Sequence, residues 1–421
     1  MPDDLFNMNR FMAFFIVFVL LLVVDFYFYQ AVLTVSKTWA PGWRIAARFG
    51  FWIPTLFSVG ALIWWQLADP YTLSANVRNW IVTAIFTIYF SKLIGIVFLL
   101  IDDMQRLVRW VSQMLQRKSE ALPGEPITRS QFLAKAAVMA SAVPLGAMVY
   151  GIVSGAHDYR VRRVTVKLPN LPKAFDGLRI AQLSDIHTGS FFNKVAVKGG
   201  VEMVLNEKPD LIFFTGDLVN NESSEVKEYI QVFDKLRAPL GVYSVTGNHD
   251  YGDYKSWATK EAKQQNFKDL IEAHRLLGFD LLMNENRIIE QSGEKLAIIG
   301  IENWGAGRFS KYGKLEQAHA GTDAATVKLL LSHDPSHWDA EVRPDYKDID
   351  IAFAGHTHGF QFGVEWGDFK WSPSQYAYKQ WAGLYTEGKQ HLYVNRGFGY
   401  LGYPGRVGMP PEITLMELKR G

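Results

Sequence analysis

The sequence predicts an N-terminal multi-span α-helical membrane region followed by an α/β domain. Three observations predict it. Long apolar runs are confined to residues 1–154, short apolar runs ending at small residues and metal-capable side chains recur between 178 and 359, and all ten histidines fall after residue 154. The expected division is therefore a transmembrane region of about four helices over 1–154 and a folded domain over 155–421.

Composition narrows the function classes. Cys is absent from the 421 residues, which excludes disulfides, thiolate zinc sites and cysteine nucleophiles. The net charge of +2 divides into +4 over residues 1–154 and −2 over 155–421. Neither part has the basic excess of a nucleic-acid groove, so no nucleic-acid partner is expected.

The first expected spans are 11–33, 49–67 and 80–101, each near the ~20 residues that cross ~30 Å of hydrocarbon as a helix. Trp residues near their ends suit the membrane interface. The fourth run, 132–154, is richer in Ala and Gly. Its opening, "TRSQFLAKAA", resembles a twin-arginine export leader but has one Arg where that signal wants two. Its place after three spans favours a helix that stays in the membrane. The polar stretch 117–130 reads as an interhelical loop.

Loop charges orient these spans. The connection 34–48 carries Lys37, Arg44 and Arg48, and 102–131 carries Arg106, Arg109, Arg117, Lys118 and Arg129. The N-terminus and the second connection hold only Arg10 and Arg78. Positive loops stay in the cytoplasm. Four spans then place the N-terminus and residues 155–421 outside, whereas three would place the folded domain inside. Asp25 and Lys92 lie inside two spans that run the same way, at depths differing by about 3 Å. Lone charges in a membrane are costly, so these two are expected to pair.

In the second part the runs are "LRIAQLSDIH" (178–187), "LIFFTGDLVN" (211–220), "GVYSVTGNHD" (241–250), "KLLLSHDP" (328–335) and "DIAFAGHTHG" (350–359). Helix-like stretches such as "KVAVKGGVEMVLNEK" and "SSEVKEYIQVFDKLR" separate several of them, as in an α/β domain. Polar sites in such sheets form beyond the carboxyl ends of strands. Asp185, His187, Asp217, Asn248, His249, His333, His356 and His358 should therefore gather on one rim. Any one of them has a plain explanation as a turn or cap residue; five strand ends of the same kind do not. Imidazole and carboxylate together suit Zn, Mn or Fe. A pair of such ions needs a bridging carboxylate, and Asp217 is the candidate.

The ordered set "DIH", "GDLVN", "GNHD", a lone His and "GHTHG" resembles the calcineurin-like metallophosphoesterase family, in particular its membrane-attached members similar to bacterial UDP-2,3-diacylglucosamine pyrophosphatase-like enzymes. The resemblance covers about 155–421. It implies a β-sandwich flanked by helices and two divalent ions (Mn, Fe or Zn). One would be held by Asp185, His187 and His358 and the other by Asn248, His333 and His356, with Asp217 shared. It also implies that His249 protonates a leaving oxygen or grips the phosphate, oriented by Asp250. One departure is visible: where the family commonly continues "GHTHGGQ", this chain has Phe360, so the pocket wall there is bulkier.

Residues 366–403 are dense in aromatics: Trp366, Phe369, Trp371, Tyr376, Tyr378, Trp381, Tyr385, Tyr393, Phe398, Tyr400 and Tyr403. Most have a ready explanation as core; part of the stretch is expected to face acyl chains or the membrane. Arg396 and Arg406 flank "GFGYLGYPG" and are expected to bind substrate phosphate. The functional expectation is an integral membrane phosphohydrolase, with an extracytoplasmic domain acting on a phosphate ester or pyrophosphate, a nucleotide-linked glycolipid among the candidates. The alternatives are a phosphodiesterase of soluble nucleotides, or a non-catalytic metal-binding regulatory module on a transporter-like bundle.

Overall fold

The computed structural model describes residues 2–68, 73, 75–115, 129–307, 309–367 and 369–421. The chain forms two compact units, residues 1–149 and 150–421. The first is helical, with α1 (Pro2–Ser36), α2 (Pro41–Gly50), α3 (Trp52–Leu67), α4 (Ala75–Leu115) and α5 (Gln131–Val153), whose last turn belongs to the second unit.

Among the described residues four helical stretches are long and apolar enough to cross a membrane: Phe14–Ser36, Pro41–Leu67, Val77–Ser112 and Gln131–His157. Two run longer than the sequence pattern suggests. The second begins at Pro41, because Phe51 keeps helical angles between α2 and α3. The third continues past the acidic pair Asp102–Asp103 because residues 104–115 contain no Gly or Pro to stop it. Residues 117–128 of the expected loop, with Arg117 and Lys118, lie outside the described residues. Arg129 donates to Asp103 at 3.2 Å and the Ser130 N–H to Asp102 at 3.2 Å.

Asp25 and Lys92 form a buried ion pair between α1 and α4. The Tyr89 hydroxyl donates to the second Asp25 oxygen at 2.6 Å, and the Lys92 ammonium lies 4.6 Å from the Phe51 ring centroid. Each charge thus has a partner that hydrocarbon cannot supply.

The second unit lays down β1 (Arg160–Leu168), β2 (Arg179–Leu183), helix α6 (Lys194–Asn206), β3 (Leu211–Phe214), α7 (Ile230–Phe233), β4 (Val242–Ser244) and α8 (Lys260–Leu277). Then follow β5 (Asp280–Leu281), β6 (Glu285–Gln291), β7 (Glu294–Gly300), β8 (Val327–Leu331), β9 (Ile351–Ala354), β10 (Val364–Trp366), β11 (Phe369–Trp371), β12 (Gly383–Glu387), β13 (Gln390–Val394) and β14 (Glu412–Arg420). One six-stranded sheet runs β1-β14-β2-β3-β4-β5, the other β12-β13-β9-β8-β7-β6, and β10-β11 forms a separate hairpin.

Period-two alternation builds the layers. Ile180, Leu211, Phe213, Leu329, Leu331, Ile351 and Phe353 meet in one core between the sheets. Their neighbours Ala181, Leu183, Ile212 and Phe214 turn the other way, onto the layer that holds α6, α7 and α8. Leu330, Ala352 and Ala354 turn onto the outer face of the second sheet. The result is a two-sheet sandwich with helices outside. "SSEVKEYIQVFDKLR" contributes only a 3-10 turn and the four-residue α7. α8 is bounded by the Thr259 side chain, which accepts from the Ala262 N–H, and by Gly278 in the left-handed region.

Removing one member of the intramembrane pair leaves a buried charge, at about 3–5 kcal/mol. Asp25→Ala or Lys92→Ala should lower the yield of monodisperse protein in detergent, and the exchange Asp25→Lys with Lys92→Asp should recover it. A double variant as poor as the singles would contradict the pairing.

Candidate metal centre

Parallel strands β2, β3 and β4 of one sheet and β8 and β9 of the other each release a loop at the carboxyl end. Those loops carry all the expected ligand residues. Two clusters, buried apart from half-buried His356, have donor atoms within 4.8 Å of one another, Asp185/His187/His358 and Asp217/His333/His356. Asp217 joins them: its Oδ2 lies 3.6 Å from His187 Nε2 and 3.2 Å from His333 Nε2. His358 Nε2 stands 3.3 Å from Asp185 Oδ1 and 3.1 Å from His187 Nε2, and His356 Nδ1 stands 3.3 Å from His333 Nε2.

The imidazoles are held from behind. His187 Nδ1 lies 3.2 Å from the Val219 carbonyl and His333 Nδ1 2.7 Å from the Thr215 carbonyl, which leaves both Nε2 atoms toward the clusters. His356 is reversed. Its Nε2 is 2.6 Å from the Tyr378 hydroxyl, and its Nδ1 faces His333.

The backbone is strained where the candidate ligands sit. Asp185, His187, Asp217, His356 and His358 all have φ between 50° and 70°, the left-handed region that costs a non-glycine residue about 1–3 kcal/mol. Cross-loop hydrogen bonds hold these turns: Asp185 N–H to Gly216 O at 2.9 Å, His187 N–H to Asp217 O at 3.1 Å and Gly355 N–H to His333 O at 2.9 Å. The motif glycines clear space for the carboxylates. A Cβ on Gly247 would lie 2.2 Å from Asp217 Oδ1, and one on Gly355 would lie 2.2 Å from Asp185 Oδ2.

Asn248 supplies the clearest sign that the site suits a cation. Its Nδ2 donates to the Tyr254 hydroxyl at 2.9 Å, while its buried Oδ1 has no hydrogen-bond partner among the described residues. Orphaned buried oxygens are costly, and an amide oxygen beside carboxylates and imidazoles suits a divalent ion. Electrostatics agree. Burial disfavours charge on His333, yet Asp217 beside it outweighs burial and holds the ring protonated well above the usual histidine range. Burial opposes ionisation of Asp185 too, but His358 and His333 hold it below the usual carboxylate range. Burial pushes His187 down to about 3, leaving it neutral as a ligand must be.

Three expectations need correction. Asp250 does not contact the His249 side chain. Its oxygens accept from the backbone N–H groups of Asp217 at 2.9 Å, Leu218 at 2.8 Å and Gly247 at 2.8 Å, so it clamps the "GDLVN" turn to the "GNHD" turn. His249, half-buried, is instead held through Nδ1 by the Asn220 carbonyl at 2.8 Å. Arg396 and Arg406 are 3% and 1% exposed and point into the fold. Arg396 pairs with Glu412 and Glu365, and Arg406 donates to the carbonyls of Gly399, Met409, Arg396 and Gly397 and lies 3.3 Å from His358 Nδ1. Neither is arranged for a substrate phosphate, because the glycine-rich segment between them is itself packed under the "DIH" loop. Sequence reading missed Tyr254, which carries no motif signal beyond its place four residues after "GNHD", and named Tyr378 in the aromatic stretch without placing it against His356.

A family model described as calcineurin-like phosphoesterase matches residues 178–360, and one for a calcineurin-like phosphoesterase transmembrane domain matches residues 9–156. An uncharacterised metallophosphoesterase of Bacillus subtilis, YkuE, is 30% identical over 303 residues, covering 70% of this chain and 98% of the relative. The chain is a calcineurin-like metallophosphoesterase. Metallophosphoesterases hydrolyse phosphate esters with divalent metals, and the four apolar helices make this one a membrane protein. A zebrafish transmembrane protein with a metallophosphoesterase domain is 29% identical over 282 residues, 65% of this chain and 60% of the relative. The UDP-2,3-diacylglucosamine pyrophosphatase LpxG of Chlamydia trachomatis is 28% identical over 307 residues, 61% of this chain and 88% of the relative.

Asp217 beside it raises the His333 imidazole above the usual histidine range, so cation loading should expel a proton and the apparent affinity should rise with pH. Calorimetry of Mn²⁺ binding to the full chain in buffers of different ionisation enthalpy should give buffer-dependent heats. Heats independent of buffer would contradict this picture of the pocket.

Proposed function

We propose that this metallophosphoesterase cleaves a phosphate ester or pyrophosphate bond of a membrane lipid, such as a nucleotide-linked glycolipid, at a two-ion centre. Asp185, His187 and His358 would hold one ion, Asn248, His333 and His356 the other, and Asp217 both. The observation that carries this reading is the Asp217 carboxylate reaching both histidine clusters beside the unpartnered Asn248 oxygen. Divalent ions bound there supply Lewis acidity toward water and the phosphoryl oxygens.

The chain's own residues supply the rest. His249 is fixed through Nδ1 on the Asn220 carbonyl, which leaves Nε2 to hand a proton to the leaving oxygen. Asp250 keeps Asp217 and Asn248 in register through backbone hydrogen bonds. Substrate class rests on two supports: the membrane helices on the same chain, and the pyrophosphatase activity in the name of the Chlamydia relative. The regulatory-module alternative loses its main support, since Asp25 and Lys92, the two charges on which it rested, pair with each other. The distribution of basic residues between and near the ends of the spans, several of them on the extended helices α2 and α4, supports four spans with the catalytic unit outside.

The full chain purified in detergent with Mn²⁺ should hydrolyse a chromogenic phosphodiester. Asp217→Asn should abolish turnover together with bound metal, while His249→Gln should keep the metal and lose about 10²–10⁴-fold in kcat. Full activity in either variant contradicts the assignment. Presented with both substrate types, the enzyme should turn over a lipid-linked pyrophosphate faster than soluble nucleotides; the reverse order supports the nucleotide reading. Added protease should digest the catalytic unit in spheroplasts, and protection would reverse the orientation.

A further inference from the structure

The hairpin β10-β11 is built inside out. Val364, Trp366 and Phe369 are 51%, 84% and 61% exposed, with Trp366 directly opposite Phe369 across the strands. The intervening polar residues face inward: Glu365 pairs with Arg162 and Arg396, and Lys370 donates to the Ala382 carbonyl at 2.6 Å. A hairpin facing water alone would place these residues the other way round. Just before it stands Phe360, 64% exposed at φ 57°, a backbone conformation suited to glycine. A bulky apolar side chain kept outside in strained backbone calls for an apolar partner.

The chain itself indicates which partner. Residues 150–157, the continuation of the last apolar helix, belong to the same unit as the hairpin. Gly151 O accepts from the Arg406 N–H at 3.1 Å, the Val407 N–H donates to Gln361 O at 2.8 Å, and the Gly363 N–H donates to Val407 O at 2.9 Å. The hairpin begins at the next residue. It is therefore stapled, through one intervening segment, to the point where the membrane helix enters the catalytic unit, and Phe360 lies two residues from His358 of the metal centre.

We propose that Phe360 and the aromatic face of β10-β11 form a wedge that sits in the lipid headgroup region and presents the mouth of the metal centre to the bilayer. Amphipathic aromatic rings prefer that interface, and the inward ion pairs keep the face turned outward. The lipid surface is the one occupant that the preceding apolar helix guarantees nearby. The wedge is independent of which phosphate compound is cleaved.

The chain has no Cys, so single-cysteine variants can be labelled directly. The full chain carrying Trp366→Cys, Phe369→Cys or Ser292→Cys, the last an exposed turn residue between β6 and β7, is labelled with NBD and placed in phosphatidylcholine–phosphatidylglycerol nanodiscs. Labels at 366 and 369 should emit to the blue, be quenched several-fold more by shallow doxyl lipids than the label at 292, and be shielded from iodide. Emission and quenching equal to those at 292 would overturn the proposal. Because labelling replaces an aromatic ring, Tyr376→Cys beside the hairpin, with Trp366 and Phe369 intact, repeats the measurement; iodide access there as free as at 292 would also overturn it.

Discussion

One carboxylate organises the catalytic unit. Asp217 stands at the end of β3, and its Oδ2 reaches histidines released by β2 of its own sheet and by β8 of the opposite sheet. Its other oxygen accepts the His249 N–H at 2.9 Å. Two sheets that share one apolar core are thereby joined a second time at their rim. The arrangement concentrates buried charge and left-handed backbone in a few loops, and both are tolerable only if the surrounding hydrogen bonds over-determine the geometry and cations answer the carboxylates.

The hydrogen bonds between loops explain how this strain persists. Asp185 N–H reaches Gly216 O, His187 N–H reaches Asp217 O, and Asp250 gathers N–H groups from two turns. Burial pushes the Asp250 carboxyl up, as does the nearby Asp217 charge, yet it keeps a full set of backbone donors. Its place in "GNHD" is thus architectural. Phe360 shows the same economy from the other side. The position adopts the angles that glycine favours, and this chain places an exposed aromatic ring there.

The gathering of the candidate ligand residues was legible in the sequence because each motif ends a short buried strand, and parallel strands deliver their loops to one rim. The Asp25–Lys92 pair was legible because similar depth in spans that run the same way restricts partners. Other features were not, for physical reasons. Assignment of strands to two sheets depends on β14 returning from the far end of the chain to lie between β1 and β2. Arg396 and Arg406 look like phosphate binders by residue type, and only their long-range partners Glu412, Glu365 and the Gly399 carbonyl show them to be internal struts. Alternation in Val364–Glu365–Trp366 announces a two-faced strand without telling which face turns inward. Arg162, some two hundred residues earlier, decides it.

The proposed two-ion centre depends on a single aspartate common to both sites. Low-temperature electron paramagnetic resonance of the manganese-loaded full chain tests it most directly. Two ions per chain are expected, with the multiline spectrum of an exchange-coupled pair, replaced in Asp217→Asn by uncoupled or absent manganese. One ion per chain, or two that are magnetically independent in the native protein, would contradict it.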